Sequence, residues 1–293
     1  MFTRVTNQSM VASAQRNLQA SMSQLAKLQQ QASSQQAITR PSDDPIGTSN
    51  SIAVRSAQRA NTQYGRNIND GNTWLTTIDS ALSKTSDIMN RVRDLTVQGA
   101  NDGSLSAASK EAIATELDGL KQELLSQANT TVQGRTVFAG NSNAGVAFQP
   151  DYTFTGTSTG VERRVGSDQT VRVDADGSAV FGAGSTSVFA LIDTISSDLR
   201  SGTNVSSQLQ AIDSRMSAIR TQWADVGGRQ AQIQSSQETN MQQTTALEAQ
   251  RSGIEDVDLG KTILDLQMQN LSYQSALGVT AKVLQPTLMD FLK

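Results

Sequence analysis

Apolar residues recur at helical spacing along both ends of the chain. From Leu259 to Phe291 the series Leu259, Ile263, Leu266, Tyr273, Leu277, Leu284, Leu288, Phe291 advances in steps of three, four and seven. A second stripe, Leu264, Met268 and Leu271, lies on a neighbouring face. From Val11 to Ala32 strict sevens run through Val11, Leu18, Leu25 and Ala32, with Ala14, Ser21 and Leu28 between them. These are heptads, the pattern of helices that pack lengthwise against other helices. Two stripes on the C-terminal stretch predict neighbours on two sides, and Pro286 should kink it or start a new turn. Burying one Leu or Ile is worth roughly 1.5 to 3 kcal/mol, so leaving that stripe in water would forgo on the order of 10 kcal/mol. Asn270 and Thr280 interrupt the seam, and lone helices are marginal in water. The two ends therefore need partners, either each other or other chains.

Between these ends the pattern predicts a helical chain with one small insertion. The first helix should run over 8–36. Pro41 stops it, Asp44 is placed to cap the next helix, and Pro45 fits that helix's first turn. The second helix, from Pro45 to Gly99, carries Ala53, Ala57, Ala60, Tyr64, Ile68, Gly71, Leu75, Ile78, Leu82, Thr85, Met89 and Val92 as core positions. At 1.5 Å per residue it would reach roughly 80 Å, which predicts an elongated molecule. Asn101-Asp102-Gly103 breaks it, and a third helix follows over 106–130 with Ile113, Leu117, Leu120, Leu124 and Ala128 on one face. The short turn predicts antiparallel neighbours.

From Gly134 to Ser187 the chain is rich in Gly, Thr and Val. Val171 and Val173 alternate with Thr170 and Arg172, and Asp176-Gly177 then reads as a hairpin turn toward Val180 and Phe181. Helical spacing resumes over 188–199, with Gly202 as a stop. A last long frame runs from Val205 through Leu209, Ile212, Met216, Ile219, Trp223, Val226, Ile233, Leu247 and Ile254. Gln230, Gln237, Asn240 and Thr244 weaken its middle. Gly227-Gly228 inside it predicts close helix contact or a bend rather than a break. Gly253 should separate this helix from the terminal one. The fold class is mainly α with a small β insertion, an elongated helical bundle formed by both chain ends. The expected domains are 1–40 with 254–293 as a terminal coiled coil, 41–134 with 188–253 as a helical bundle, and 135–187 as a small β domain.

Composition narrows the function. Only 17% of the 293 residues are charged, against roughly 25% in typical proteins. The net charge is -3, with Lys and Arg scattered, so no basic stripe argues for nucleic acid. A surface of Gln, Ser, Thr and Ala repels its own copies weakly and suits close packing of many subunits. There is no Cys and no His, which excludes thiolate and imidazole metal sites and His-based triads. The start, Met1 to Gln8, lacks an apolar core of signal-peptide length, and no apolar run is long enough to span a membrane.

Five short stretches carry a family resemblance. They are Thr3-Arg4-Val5-Thr6, Pro41-Ser42-Asp43-Asp44-Pro45-Ile46-Gly47, Gly134-Arg135-Thr136-Val137-Phe138-Ala139-Gly140, Asp225-Val226-Gly227-Gly228-Arg229-Gln230 and Ile254-Glu255-Asp256-Val257-Asp258-Leu259. Together, in this order, they resemble the flagellin superfamily, and its junction members more than its bulk filament subunit. The resemblance implies that the paired terminal helices form an inner coiled-coil domain, with the β insertion outermost. It implies export through the flagellar type III channel without a cleaved signal, an extracellular place in the flagellum, and polymerisation around a pore. Implied partners are other copies of the chain, hook-associated protein 1, flagellin, and an export chaperone at the C-terminal helix. Members commonly carry Ser-Ser-Gly before the Pro-Ser-Asp-Asp-Pro loop. Here the stretch is Ser33-Ser34-Gln35-Gln36, so the first helix should run a few residues further. The C-terminal end also lacks the Gln- and Asn-rich pattern usual in flagellins.

Sharper chemical readings fail on spacing. Gly260-Lys261-Thr262 resembles the end of a phosphate loop, but Glu255 stands where that motif needs Gly. Asp174-Ala175-Asp176-Gly177 hints at a calcium loop, yet Arg172 and Ala183 fall where its end carboxylates belong. Asp43 and Asp44 lack further oxygen ligands nearby and read as caps. No catalytic, cofactor or metal site is expected, and an enzyme is the least favoured class. A junction subunit leads, with flagellin itself second and a coiled-coil signalling or adhesin protein third. The expected subunit contacts are Val11, Leu18, Leu25, Leu28, Leu259, Ile263, Leu266, Leu271, Leu277, Leu284, Leu288 and Phe291.

Overall fold

The computed structural model describes residues 7–101 and 105–283. The chain divides into two compact units, one of residues up to 59 and from 244 onward, the other of residues 60–243. In order, the helices are α1 (Asn7–Ser34), α2 (Pro45–Gly99), α3 (Ala107–Ala128), α4 (Gly177–Phe181), α5 (Val188–Ser201), α6 (Leu209–Glu255) and α7 (Leu259–Val283). Four short strands lie between α3 and α4: β1 (Thr131–Val132), β2 (Arg135–Thr136), β3 (Glu162–Arg164) and β4 (Thr170–Arg172). The fold is mainly α, as the hydrophobic spacing predicts.

Helix ends follow their capping chemistry. Asp44 accepts from the Gly47 N–H at 2.9 Å, one turn into α2, and Pro45 occupies the first position, where no N–H is needed. Ser106 and Ser187 cap α3 and α5 in the same way, at 3.1 and 3.2 Å. The end of α1 departs from expectation. The helix stops at Ser34 instead of continuing, and Gln35 takes a left-handed φ of 58°. Its carbonyl accepts from the Val257 N–H at 3.2 Å, and Gln36 pairs with Asp256 as an antiparallel bridge. Pairing with the α6–α7 connection thus pulls the backbone out of the helix although no glycine is there. A non-glycine residue in that conformation costs about 1–2 kcal/mol.

The hydrophobic core lies in the 60–243 unit. On α2, Ile68, Leu75, Ile78, Leu82, Met89 and Val92 are buried as expected, and so are Trp74, Ala81, Ile88 and Leu95. Ala53, Ala57 and Ala60, expected in the core, are exposed, because the apolar cluster on this helix starts only at Ile68. Helix α3 packs along α5, burying Ile113, Leu117, Leu124 and Ala128. On α6 the frame Ile212, Met216, Ile219, Val226, Ile233 is buried, and the Trp223 indole N–H donates to Asp79 at 2.6 Å. Past Ile233 the frame turns polar. Asn240 donates to the Asn61 carbonyl at 2.8 Å, and Asn61 donates back to the Asn240 carbonyl at 3.0 Å.

On α6 no break occurs at Gly227-Gly228, as expected, while the expected break at Gly253 is corrected. The helix runs unbroken through Gly227-Gly228, but both are exposed and nothing lies within 4 Å of where their side chains would start, so no close contact explains them. It also runs through Gly253. The break falls at 256–258, where Asp256 pairs with Gln36 and Asp258 accepts from the Lys261 N–H at 3.1 Å.

In the β region, β1 and β2 are joined through Gln133 and Gly134, both at positive φ, the arrangement favoured in two-residue hairpins. Strand β4 pairs antiparallel with β3, upstream of it. The expected hairpin turn at Asp176-Gly177 is instead a helix start: Asp176 accepts from the Ser178 N–H at 2.9 Å and caps α4. A side chain at Gly177 would begin 2.6 Å from the Phe138 carbonyl. Phe138, Phe148, Phe181 and Phe189 close this region with ring centroids 5.2–5.9 Å apart.

The strained turn after α1 gives a test. Gln35→Val should lower the stability of the 1–59/244–293 unit and leave it at least about 1–2 kcal/mol below Gln35→Gly, because branched residues fit that conformation worst. Gln35→Gly should not destabilise it. Denaturant midpoints followed by labels in α1 distinguish the two.

Candidate assembly surface

Helices α1 and α7 pair lengthwise. Their direction is antiparallel: Gln269 donates to the Ser21 carbonyl at 3.2 Å midway, and the bridge Gln36–Asp256 joins the end of α1 to the start of α7. On α1 the predicted heptad forms the seam. Val11, Ala14, Leu18, Ser21 and Leu25 are half-buried and Leu28 is buried. On α7 the shaded positions are Thr262, Leu266, Gln269, Tyr273, Ala276 and Thr280, spaced by fours and threes. This seam is largely polar or small. Of the residues expected to contact other subunits, Val11, Leu18, Leu25, Leu28 and Leu266 lie in the seam within the chain, while Leu259, Ile263, Leu271 and Leu277 stand outside it. Leu284, Leu288 and Phe291 lie outside the described residues.

The consequence is a helix with its greasiest positions uncovered. Leu271 is 66% exposed, Met268 63% and Leu264 61%, and Leu259, Ile263, Leu277 and Val279 are exposed too. Between Asp265 and Lys282 no charged residue interrupts this surface. Covering seven such side chains would contribute on the order of 10 kcal/mol. On α1, Met10 and Met22 are likewise exposed.

The neck of this hairpin is polar. Glu255, with its side chain 7% exposed, accepts from Arg55 Nε and Nη2 at 2.6 and 2.7 Å, from the Ser51 hydroxyl, and from Arg251 at 3.4 Å. Its carbonyl accepts from the Ala37 N–H at 2.7 Å. The hydrogen bonding from Arg55, aided by Ser51 and by the guanidinium charge, holds its carboxyl at about 2 instead of 4.5, against burial, which acts in the opposite sense. Glu255 falls within one of the stretches that carry the family resemblance, but nothing in the sequence points to Arg55 or Ser51, which lie 200 and 204 residues away.

The chemical motifs settle into structural roles. Gly260-Lys261-Thr262 sits in the first turn of α7, where the Thr262 hydroxyl donates to the Asp258 carbonyl at 2.8 Å. Asp174 is fully buried and receives the Val161 N–H at 2.7 Å and both Arg172 donors at 2.9 Å. Asp43 accepts from Thr39 and from the Arg40 N–H at 3.0 and 3.1 Å. Among the described residues no acidic group of three or more is placed to hold a metal ion, and no helix is long and apolar enough to cross a membrane.

A chain whose two ends pair as helices around an inserted β region belongs to a known class of protein. Residues 5–143 match the profile of the bacterial flagellin N-terminal helical region and residues 209–292 that of its C-terminal helical region. The chain belongs to the bacterial flagellin family and is a structural component of the flagellum. It is 25% identical to flagellar hook-associated protein 3 of Salmonella typhimurium, over 93% of this chain and 94% of that one. It is 24% identical to a flagellin of Halalkalibacterium halodurans, over 93% and 92%. Its fold matches the crystal structure of FlgL from Bacillus cereus with a TM-score of 0.59 and 23% identity, covering 68% of this chain and 99% of that one.

The lowered Glu255 carboxyl makes the neck acid-sensitive. Its folded value lies below its ordinary one, so its contribution is complete above about pH 4.5 and is lost as pH falls toward 2. Hydrogen-exchange protection at the first turns of α2, relative to the intrinsic rate at each pH, should fall across that window. Glu255→Gln should weaken the neck by about 1–3 kcal/mol at neutral pH and flatten the pH dependence between 4.5 and 2.

Proposed function

We propose that this chain is the junction subunit between hook and filament, and that it works by stacking with other copies and with its flagellar neighbours. The observation that carries the reading is the face of α7 that remains open after α1 has paired with it. A helix whose inner seam is Thr262, Gln269 and Thr280, and whose outer faces are leucine and methionine, is suited to a second set of partners. Residues 1–40 with 254–293 form the assembling part in this reading, the bundle of 41–134 with 188–253 carries it, and 135–187 projects from the bundle. The contact residues are Val11, Leu18, Leu25 and Leu28 on α1, with Leu259, Ile263, Leu266, Leu271, Leu277, Leu284, Leu288 and Phe291 toward the C-terminus.

Likeness along 93% of this chain to a protein named flagellar hook-associated protein 3 supports the junction reading. The neighbours in place are further copies, hook-associated protein 1 on the hook side and flagellin on the filament side. Before export, a chaperone covers the C-terminal helix, and the chain leaves by the flagellar type III channel without signal cleavage. A second reading, the bulk filament subunit, is favoured by the equally extensive alignment with a flagellin.

Two measurements test the assembly mechanism and two separate the junction from the bulk filament. In a dilute monomer, amides before residue 40 and after residue 254 should exchange fast relative to α2 beyond Ile68, and protection there should rise on assembly. Strong protection in the monomer overturns the junction mechanism. Leu277→Pro should abolish assembly while the 60–243 unit keeps its fold. Purified protein that grows into long filaments alone would make it flagellin, whereas location at the hook boundary in isolated flagella fits the junction.

A further inference from the structure

The α1–α7 hairpin joins the rest of its unit through one short neck. Beyond Ser34 the chain turns at Gln35, Gln36 pairs with Asp256, and the Val257 N–H donates to Gln35. Glu255 connects this neck in two directions. Its carbonyl holds the α1–α2 connection at Ala37, and its carboxylate reaches Ser51 and Arg55 on α2. Arg251, one turn back on α6, supports the same carboxylate and lies 3.8 Å from Asp256. On the connecting loop, Asp43 pairs with Lys27 of α1 at 3.7 Å.

Apolar packing does little to fix this arrangement. Among the described residues of the 1–59/244–293 unit, the buried ones are Leu28, Glu255 and Thr262. Two of these three are polar, so direction at the neck rests on hydrogen bonds. Such bonds are short-ranged and angular, unlike apolar contact. A two-pronged guanidinium–carboxylate pair adds geometric specificity to its strength.

We propose that Glu255 is a positioning residue for assembly: by clamping the neck to Ser51 and Arg55 it sets the direction in which the open face of α7 meets a second copy of this chain. The inference rests on the reading that this face joins copies, and its test separates the two. The chain has no cysteine, so label pairs can be introduced into the full-length protein at exposed positions. Ser23→Cys with Asn50→Cys spans the neck, and Ser23→Cys with Asn270→Cys stays within the hairpin. With Glu255→Gln or Arg55→Gln, the spin-label distance distribution across the neck should broaden while that within the hairpin stays narrow. The concentration needed for copies to associate, followed by light scattering, should rise roughly tenfold, the equivalent of about 1.4 kcal/mol. A narrow distribution across the neck in both variants overturns the proposal. So does broadening of both label pairs, which would mark a general folding role, and so does broadening at the neck with unimpaired association. Leu271→Gln that associates like the parent would remove the assembly reading instead, while leaving the neck measurement standing.

Discussion

A helix paired with one partner can hide one stripe of its surface, and α7 has more apolar surface than one stripe holds. Which stripe goes inside decides the character of the terminal unit. Pairing with α1 shades Thr262, Gln269, Tyr273, Ala276 and Thr280. Leu18, Leu25 and Leu28 on α1 supply the bulk at that seam, and small or polar groups on α7 accept it. Leu266 joins them in the seam, and the other leucines of α7 and its methionine are left facing out. The hairpin is therefore complete as a pair and incomplete as a buried structure. The contrast with residues 60–243 is direct: there α2, α3, α5 and α6 contribute to one apolar cluster.

The family motifs acquire separate physical reasons once the chain is folded. In Pro41 to Gly47, Asp43 closes the loop, Asp44 caps α2, and Gly47 leaves room where a side chain would start 2.7 Å from Ile38. In Gly134 to Gly140, the glycine makes the tight turn while Val137, Phe138 and Ala139 enter the core. In Asp225 to Gln230, Val226 is buried and Arg229 donates to the Asp174 carbonyl at 2.7 Å. In Ile254 to Leu259, Glu255 ties the neck and Asp258 starts α7. Only some of these residues serve the core. The exposed Gly227-Gly228 pair has no role that the contacts of this chain explain.

Helical periodicity made most of the fold legible, because burial repeats every three or four residues and caps have local chemistry. Pro45 and Gly99 bound α2 as read from spacing, and Gly202 ends α5. What periodicity could not supply was the extent of covering material. Ala53 and Ala57 keep the rhythm of Ile68 and Leu75, yet they are exposed. Asp176-Gly177 has the composition of a turn, and the Asp176 cap together with the Gly177 N–H donating to the Phe138 carbonyl makes it a helix start. The end of α1 defies local rules because pairing with Asp256, far away in sequence, outweighs the preference for glycine. The apolar surface of α7 was legible as an excess of apolar positions. Its inner and outer halves were not, since both stripes satisfy the same spacing. The Arg55–Glu255 pair left no local trace at all.

The stretch of α7 without charge bears on how it responds to its surroundings. Screening by salt acts on ions, and none stands between Asp265 and Lys282. A contact made through Leu271, Met268 and Leu277 would hold nearly alike in fresh water and in brine. Its driving force comes from water released by apolar surface, which weakens on cooling. Temperature, more than salinity, would govern such a contact.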